Sequence, residues 1–160
     1  MAPTSANPGP ETGPGAAERA LLELVASGHN GVLVALKRDG RPQLSNVSYA
    51  WDTGRRLLRI SITATRAKYH NLRRDPRASL HVSSPDFWAY AVIEGTAELT
   101  PVATDPDDAT VEELVRTYRA VQGEHPDWAD FRRAMVADQR LVVRLVPERV
   151  YGQPPRGAGR

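Results

Sequence analysis

Arg66 and Lys68, one alanine apart at the start of a short helical run, are the residues best placed to hold a negatively charged ligand. The run 65–77 lies between two strand-like segments, 57–63 and 78–83. Thr65 is predicted to cap the helix, its hydroxyl accepting from a first-turn amide. Asp75-Pro76 is predicted to end it, since proline disfavours helical geometry in the residue before it. Cations in a first turn oppose the helix dipole, which favours anions there. An anion between them relieves that opposition, held by free backbone N–H groups, a hydroxyl, a guanidinium and an ammonium. A phosphate cradle and a solvated basic helix end both fit this spacing.

Two further groupings can do chemistry. Gln43-Leu44-Ser45-Asn46-Val47 puts amides and a hydroxyl at a strand centre, where they can bond the edge of a planar heterocycle. An ordinary strand with one wet face fits as well. Trp88 and Tyr90 lie two apart on a predicted strand and share a face, suited to walling an aromatic slot or to core or interface packing. Asn71, one turn beyond Ala67 and Lys68, can reach the same ligand or lie on the surface. Other chemistries are excluded by what is missing. The sequence has no dinucleotide or phosphate-loop glycine motif, no His-Glu-x-x-His and no nucleophile elbow. His29, His70, His81 and His125 lack ligand spacing, so no metal site is expected. No acid–base pair of the hydrolase kind is present. An enzyme built this way would rely on a cofactor for the hard chemistry.

The elements that position these residues can be read from pattern. Residues 1–15, rich in proline and glycine, are expected to be a disordered tail, 16–152 one domain, and 153–160 a flexible end. A helix over 16–27, with Gly28 as its C-cap, carries Leu21, Leu24 and Val25 and is expected to lie as a lid on the core. Strands follow at 31–37 and 42–51, joined through Asp39-Gly40, a strong hairpin signal. The second strand alternates Leu44, Asn46, Ser48 and Ala50 against Gln43, Ser45, Val47, Tyr49 and Trp51. After the strand at 78–83, a longer one is predicted over 87–99, with Gly95 as a bulge. A pair of helices carries Val111, Leu114, Val115 and Tyr118, then Trp128, Phe131, Met135 and Val136. A last strand runs over 140–146, ended by Pro147, with Val150-Tyr151 as an alternative extension of it. Six strands, mostly joined by short turns, argue for a small antiparallel barrel with peripheral helices, and leave no room for parallel crossovers.

At 160 residues the chain is long enough to bury a core without staples, and it contains no cysteine. That excludes disulfides and thiolate chemistry and fits a cytoplasmic location. No apolar run approaches a membrane span, and the proline-rich N-terminus does not read as a targeting signal. The net charge of +2 and the short basic patch do not point to nucleic acid.

Three motifs in order carry a resemblance. Asp-Gly-Arg-Pro-Gln-Leu-Ser-Asn-Val (39–47), Arg-Ala-Lys-x-x-Asn-Leu-Arg-Arg-Asp-Pro-Arg-Ala-Ser-Leu (66–80) and Trp-Ala-Tyr-Ala-Val-x-Glu-Gly-Thr-Ala-Glu-Leu-Thr (88–100) are similar to deazaflavin-dependent members of the pyridoxamine-phosphate-oxidase-like split-barrel superfamily. Tyr118-Arg119, Gly123-Glu124-His125, Asp127-Trp128 and Val150-Tyr151-Gly152 continue the match. The resemblance implies a six-stranded antiparallel split β-barrel that forms a homodimer, with coenzyme F420 bound at the subunit interface. It implies that Arg66 and Lys68 bind the phosphate region with Ala67 and Asn71 nearby, and that Gln43, Ser45 and Asn46 line the ring. Trp88 and Tyr90 would form the facing wall, in one arrangement from the second subunit, and Arg73, Arg74 and Arg77 would attract a glutamyl tail. The implied activity is hydride transfer between F420 and a small-molecule substrate, with Tyr49 or Tyr90 as candidate proton-donating hydroxyls. FMN, in an oxidase of pyridoxamine phosphate, and an F420 carrier without turnover are the alternatives.

Overall fold

The computed structural model describes residues 15–157. Expectations for the tails therefore lie mostly outside the described residues. The chain runs α1 (Ala16–Ala26), β1 (Asn30–Leu36), β2 (Pro42–Asp52), β3 (Leu57–Thr63), α2 (Ala67–Arg74), β4 (Arg77–Ser83), β5 (Tyr90–Leu99), α3 (Ala109–Gln122), α4 (Trp128–Ala137) and β6 (Arg140–Gln153). The six strands close into an antiparallel barrel in the order β1-β2-β3-β6-β5-β4.

Alternation along each strand decides what lies inside. Leu33, Tyr49, Leu58, Ile60, Leu80, Ile93, Leu141 and Leu145 fill the barrel, and α1 adds Leu21, Leu24 and Val25 to the same core. The Tyr49 hydroxyl, fully buried, donates to Val25 O at 2.6 Å and ties α1 to β2. A smaller core lies outside the wall, where Val111, Leu114 and Val115 of α3 and Phe131 of α4 pack on Val142. α3 begins at Asp108, whose carboxylate accepts from the Val111 amide at 2.8 Å, and α4 at Asp127, which caps through the Asp130 amide.

Four local expectations are corrected. Thr65 is not the cap of α2: the cap position falls on Arg66, whose backbone is extended, and no side chain accepts from the first turn. The C-cap of α1 falls on Ser27, one residue before Gly28. Trp88 does not belong to β5, which starts at Tyr90. The amides of Ala89 and Trp88 donate to the Ser84 hydroxyl and the Asp86 carboxylate and make a turn there, with Phe87 at φ 68°. Finally, Pro147 does not end the last strand. It pairs with Gly95 at a bulge, where the ladder shifts register between Glu94 and Gly95. A proline is tolerated in a strand at such a bulge, so β6 runs on to Gln153. The bulge predicted at Gly95 is present, and a side chain there would begin 2.2 Å from Val146 O. At the other end of the chain, Gln153 lies in β6 and Arg156 lies over the Trp88 ring at 5.5 Å.

Candidate functional site

Between the outer wall of β2 and β3 and the helices α3 and α4 lies a cavity of about 720 Å³. Its floor is polar: Asn46, Ser48, Ser61 and Thr63 all point outward from their strands. Its far side is apolar and aromatic, with Leu114, Tyr118 and Val121 from α3 and Phe131, Ala134 and Met135 from α4. At one end stand three cations, Arg66, Lys68 and Arg140.

The register brings those cations together. Thr63 closes β3 opposite Arg140, the first residue of β6, and the chain turns at once into α2. The amides of Ala67 and Lys68 open that helix, where none has an intrahelical acceptor, and no side chain caps them. The side chains of Arg66 and Lys68 have no ion-pair or hydrogen-bond partner among the described residues. Among the described residues the Arg140 side chain reaches only Ser61 Oγ, at 3.4 Å, and its Nε is buried without a partner there. Burial, then the nearby charges of Arg66 and Arg140, hold the Lys68 ammonium below its ordinary pKa. A buried donor without an acceptor is costly, and three unpaired cations around one cavity repel each other. An anion removes both costs.

The sequence-predicted residues divide. Asn46, Arg66 and Lys68 line the cavity together. Gln43 and Ser45 alternate with Asn46 and so face the barrel interior. Gln43 accepts from Asn71 Nδ2 at 3.5 Å, and the Ser45 hydroxyl is buried without a partner. Asn71 is buried, and its Oδ1 accepts from Arg74, which also donates to Leu36 O at 2.6 Å. Arg77 is paired with Asp75, and Arg73 lies over Tyr69 at 5.5 Å. Trp88 is exposed at a corner away from the cavity. Tyr90 stacks on His81 at 5.6 Å on the outer face of β4 and β5. Tyr49, a candidate proton donor by sequence, has its proton committed to Val25 O, and burial raises its pKa.

Two cavity residues had no signal of their own. Arg140 opens a strand far along the chain, and only the β3–β6 register brings it to Lys68. His125 lies in the break between α3 and α4, and only the packing of the two helices on the barrel wall brings it to the cavity. Among the described residues no cluster of histidine and carboxylate side chains could hold a metal, and no helix is long and apolar enough to cross a membrane.

A closed antiparallel barrel with a basic, partly aromatic cavity against its wall is suited to a flat ligand that carries an anionic group. Residues 17–154 match the family model described as pyridoxamine 5'-phosphate oxidase, and the chain belongs to that family, which contains oxidoreductases. Among solved structures, it is similar to the conserved hypothetical protein Rv2991 from Mycobacterium tuberculosis, at 26% identity, TM-score 0.68, over 87% of this chain and 85% of that one. An F420 reductase matches at 26% identity, TM-score 0.58, over 81% of this chain and 94% of its own. A heme binding protein from Mycobacterium smegmatis matches at 24% identity and TM-score 0.64, over 92% of this chain but 57% of that one. This last match bears on the fold alone. The six-stranded antiparallel split barrel expected from the sequence is the fold observed.

Proposed function

We propose that this chain is an F420-dependent oxidoreductase that binds the phosphate of the coenzyme between Arg66, Lys68 and Arg140. The observation that carries the reading is the partnerless, buried Nε of Arg140 beside an uncapped helix start. The donor set fits the group. Backbone amides of Ala67 and Lys68, an ammonium and two guanidinium forks suit a phosphate. The amide and hydroxyls of Asn46, Ser48 and Ser61 suit the polar edge of a ring. The likeness to an F420 reductase over nearly all of that protein favours the deazaflavin.

Bound there, reduced F420 would supply a hydride to an electron-poor carbon of a small substrate. The chain's own residues bind, orient and exclude water: the basic end fixes the phosphate, and the aromatic side of α3 and α4 shields the substrate. In this proposal Gln43, Ser45 and Asn71 support the β2 segment from the barrel side. Trp88 and Tyr90, which lie outside the cavity, form the wall that a second subunit presents in a homodimer. The exposed aromatic and aliphatic groups Phe87, Trp88, Tyr90 and Leu44 favour such an association. FMN also presents a phosphate beside a tricyclic ring, and the family's name favours it as the second reading.

Titration with F420 and, separately, with FMN, followed by quenching of Trp51, Trp88 and Trp128 fluorescence, decides between them. Tighter F420 binding is expected. The reverse preference moves the protein to FMN chemistry, and binding of neither removes the proposed function.

A further inference from the structure

We infer that His125 is a neutral hydrogen-bond donor to a carbonyl oxygen of the substrate. The inference rests on the function proposed above and names a group in this cavity that handles the substrate. His125 lines the same cavity as Arg66, Lys68 and Arg140. Its Nδ1 accepts the backbone N–H of Asp127 at 3.0 Å. A backbone N–H can only donate, so Nδ1 carries no proton and the neutral ring keeps its proton on Nε2. That Nε2–H has no protein partner among the described residues.

The ring is also held in place. Tyr118 and Phe131 pack against it at 5.4 Å and Trp128 at 5.7 Å, centroid to centroid. Trp128 is fixed in turn by its Nε1–H to Glu124 at 2.9 Å and by Arg119 over its face at 4.7 Å. The charged groups of the elements that carry and pack on the imidazole are Arg119 of α3, Glu124 and Asp127 of the connection and Asp130 of α4, and the three cations line the same cavity. A rigid, neutral N–H aimed by its neighbours differs from a flexible acid. It stabilises negative charge on oxygen without giving up its proton.

The step balances for an α,β-unsaturated ketone. A hydride forms a C–H bond at the β-carbon, and the C=C pair shifts to leave an enolate. The two electrons would come from the reduced deazaflavin of the proposed function, which would be oxidised in turn. The His125 Nε2–H holds the enolate oxygen while water protonates the α-carbon, restoring the carbonyl.

The test uses the full chain and cyclohex-2-en-1-one as probe. In protein labelled with ¹⁵N-histidine and free of cofactor, His125 is expected to show an unprotonated Nδ1 and a protonated Nε2 at neutral pH. Cyclohexenone added with oxidised F420 is expected to shift the Nε2 resonance. With reduced F420, His125→Phe keeps a flat ring without a donor, and its kcat is expected to fall about 100-fold. KM and the F420 Kd should stay within about twofold, a split that loss of structure would not give. His125→Gln, which keeps an N–H, should recover part of the rate. A proton on Nδ1, no Nε2 shift, no reduction of the probe by F420-loaded wild type, or loss of F420 binding in His125→Phe overturns the inference. Wild type that fails to bind F420 overturns the underlying function as well, and the cofactor titration tells the two failures apart.

Discussion

Arg144 and Arg140 sit on the same outward face of β6, against the same strand, and lead opposite lives. Arg144 pairs across the ladder with Arg59, and both guanidinium groups converge on Glu113 of α3. Glu98 and Asp52 complete that network, and Glu113 is 3% exposed. Four residues along the same strand, Arg140 pairs with Thr63 and meets Lys68 and Arg66 with no carboxylate partner among the described residues. The first cluster fastens a helix to the wall. The second leaves binding capacity unused by the fold. A charge's role here follows from whether the chain itself supplies its counter-charge.

The strongest way to break the comparison is to remove the carboxylate from the satisfied cluster. Glu113→Gln leaves Arg59 and Arg144 against one another beneath α3. Removing one partner of a buried ion pair costs about 3–5 kcal/mol, or a thermal midpoint lower by very roughly 6–20 °C at this size. Thermal and urea unfolding should show it, and a loss below about 1 kcal/mol would place this cluster with ordinary surface pairs. The pH dependence has a fixed sign. Burial alone would raise the Glu113 carboxyl, but the hydrogen bonds from Arg144 and Arg59 outweigh it, so its pKa is lowered. A lowered folded pKa contributes stability above the unfolded glutamate value of about 4.3, lost as pH falls below it. Glu113→Gln should flatten that acid limb.

In the unsatisfied cluster the same logic predicts loss of affinity without loss of fold. Lys68→Met is expected to weaken F420 by roughly ten- to more than a hundred-fold, the value of a charged hydrogen bond of about 1.5–3 kcal/mol. Stability without ligand should stay level or rise. Because the folded pKa of Lys68 is lowered, its charged form opposes folding, and the free wild-type protein gains stability as pH rises through that range. Arg140→Met should behave alike. Fluorescence titration beside thermal unfolding measures both halves. A variant that loses stability but not affinity would reverse the assignment.

This division also explains what could be read from the sequence. Alternation in 57–63 and the Asp39-Gly40 turn are local, and β3 and the β1–β2 hairpin form as expected. Gly95 was legible as a bulge, but its partner was not: Pro147 looks like a stop until the register sets it opposite that glycine. Alternation through Trp88 and Tyr90 was misleading because Ser84 and Asp86 side chains bind the local amides and make a turn. For the site, Arg66, Lys68 and Asn46 were visible as residue types in a pattern. Arg140 and His125 were not, since a long-range ladder and a helix connection place them. The alternation of β2 itself separates Gln43 and Ser45 from Asn46.

The smallest effect gives the finest test of the comparison, because it concerns a single neutral proton. Tyr49 and Tyr90 were equal candidates as proton-donating hydroxyls until the fold separated them. Tyr49 donates to Val25 O inside the core, and burial raises its pKa, so its proton is held by the structure. Tyr90 stays partly exposed beside His81. Tyr49→Phe removes one buried hydrogen bond and keeps the ring, so a loss of about 1 kcal/mol is expected, with the Val25 carbonyl left short of a donor. Turnover and F420 affinity should not change. If Tyr49→Phe instead left stability intact and slowed turnover, a fully partnered group would be doing chemistry. The rule that separates Arg144 from Arg140 would then fail inside the barrel as well as on its wall.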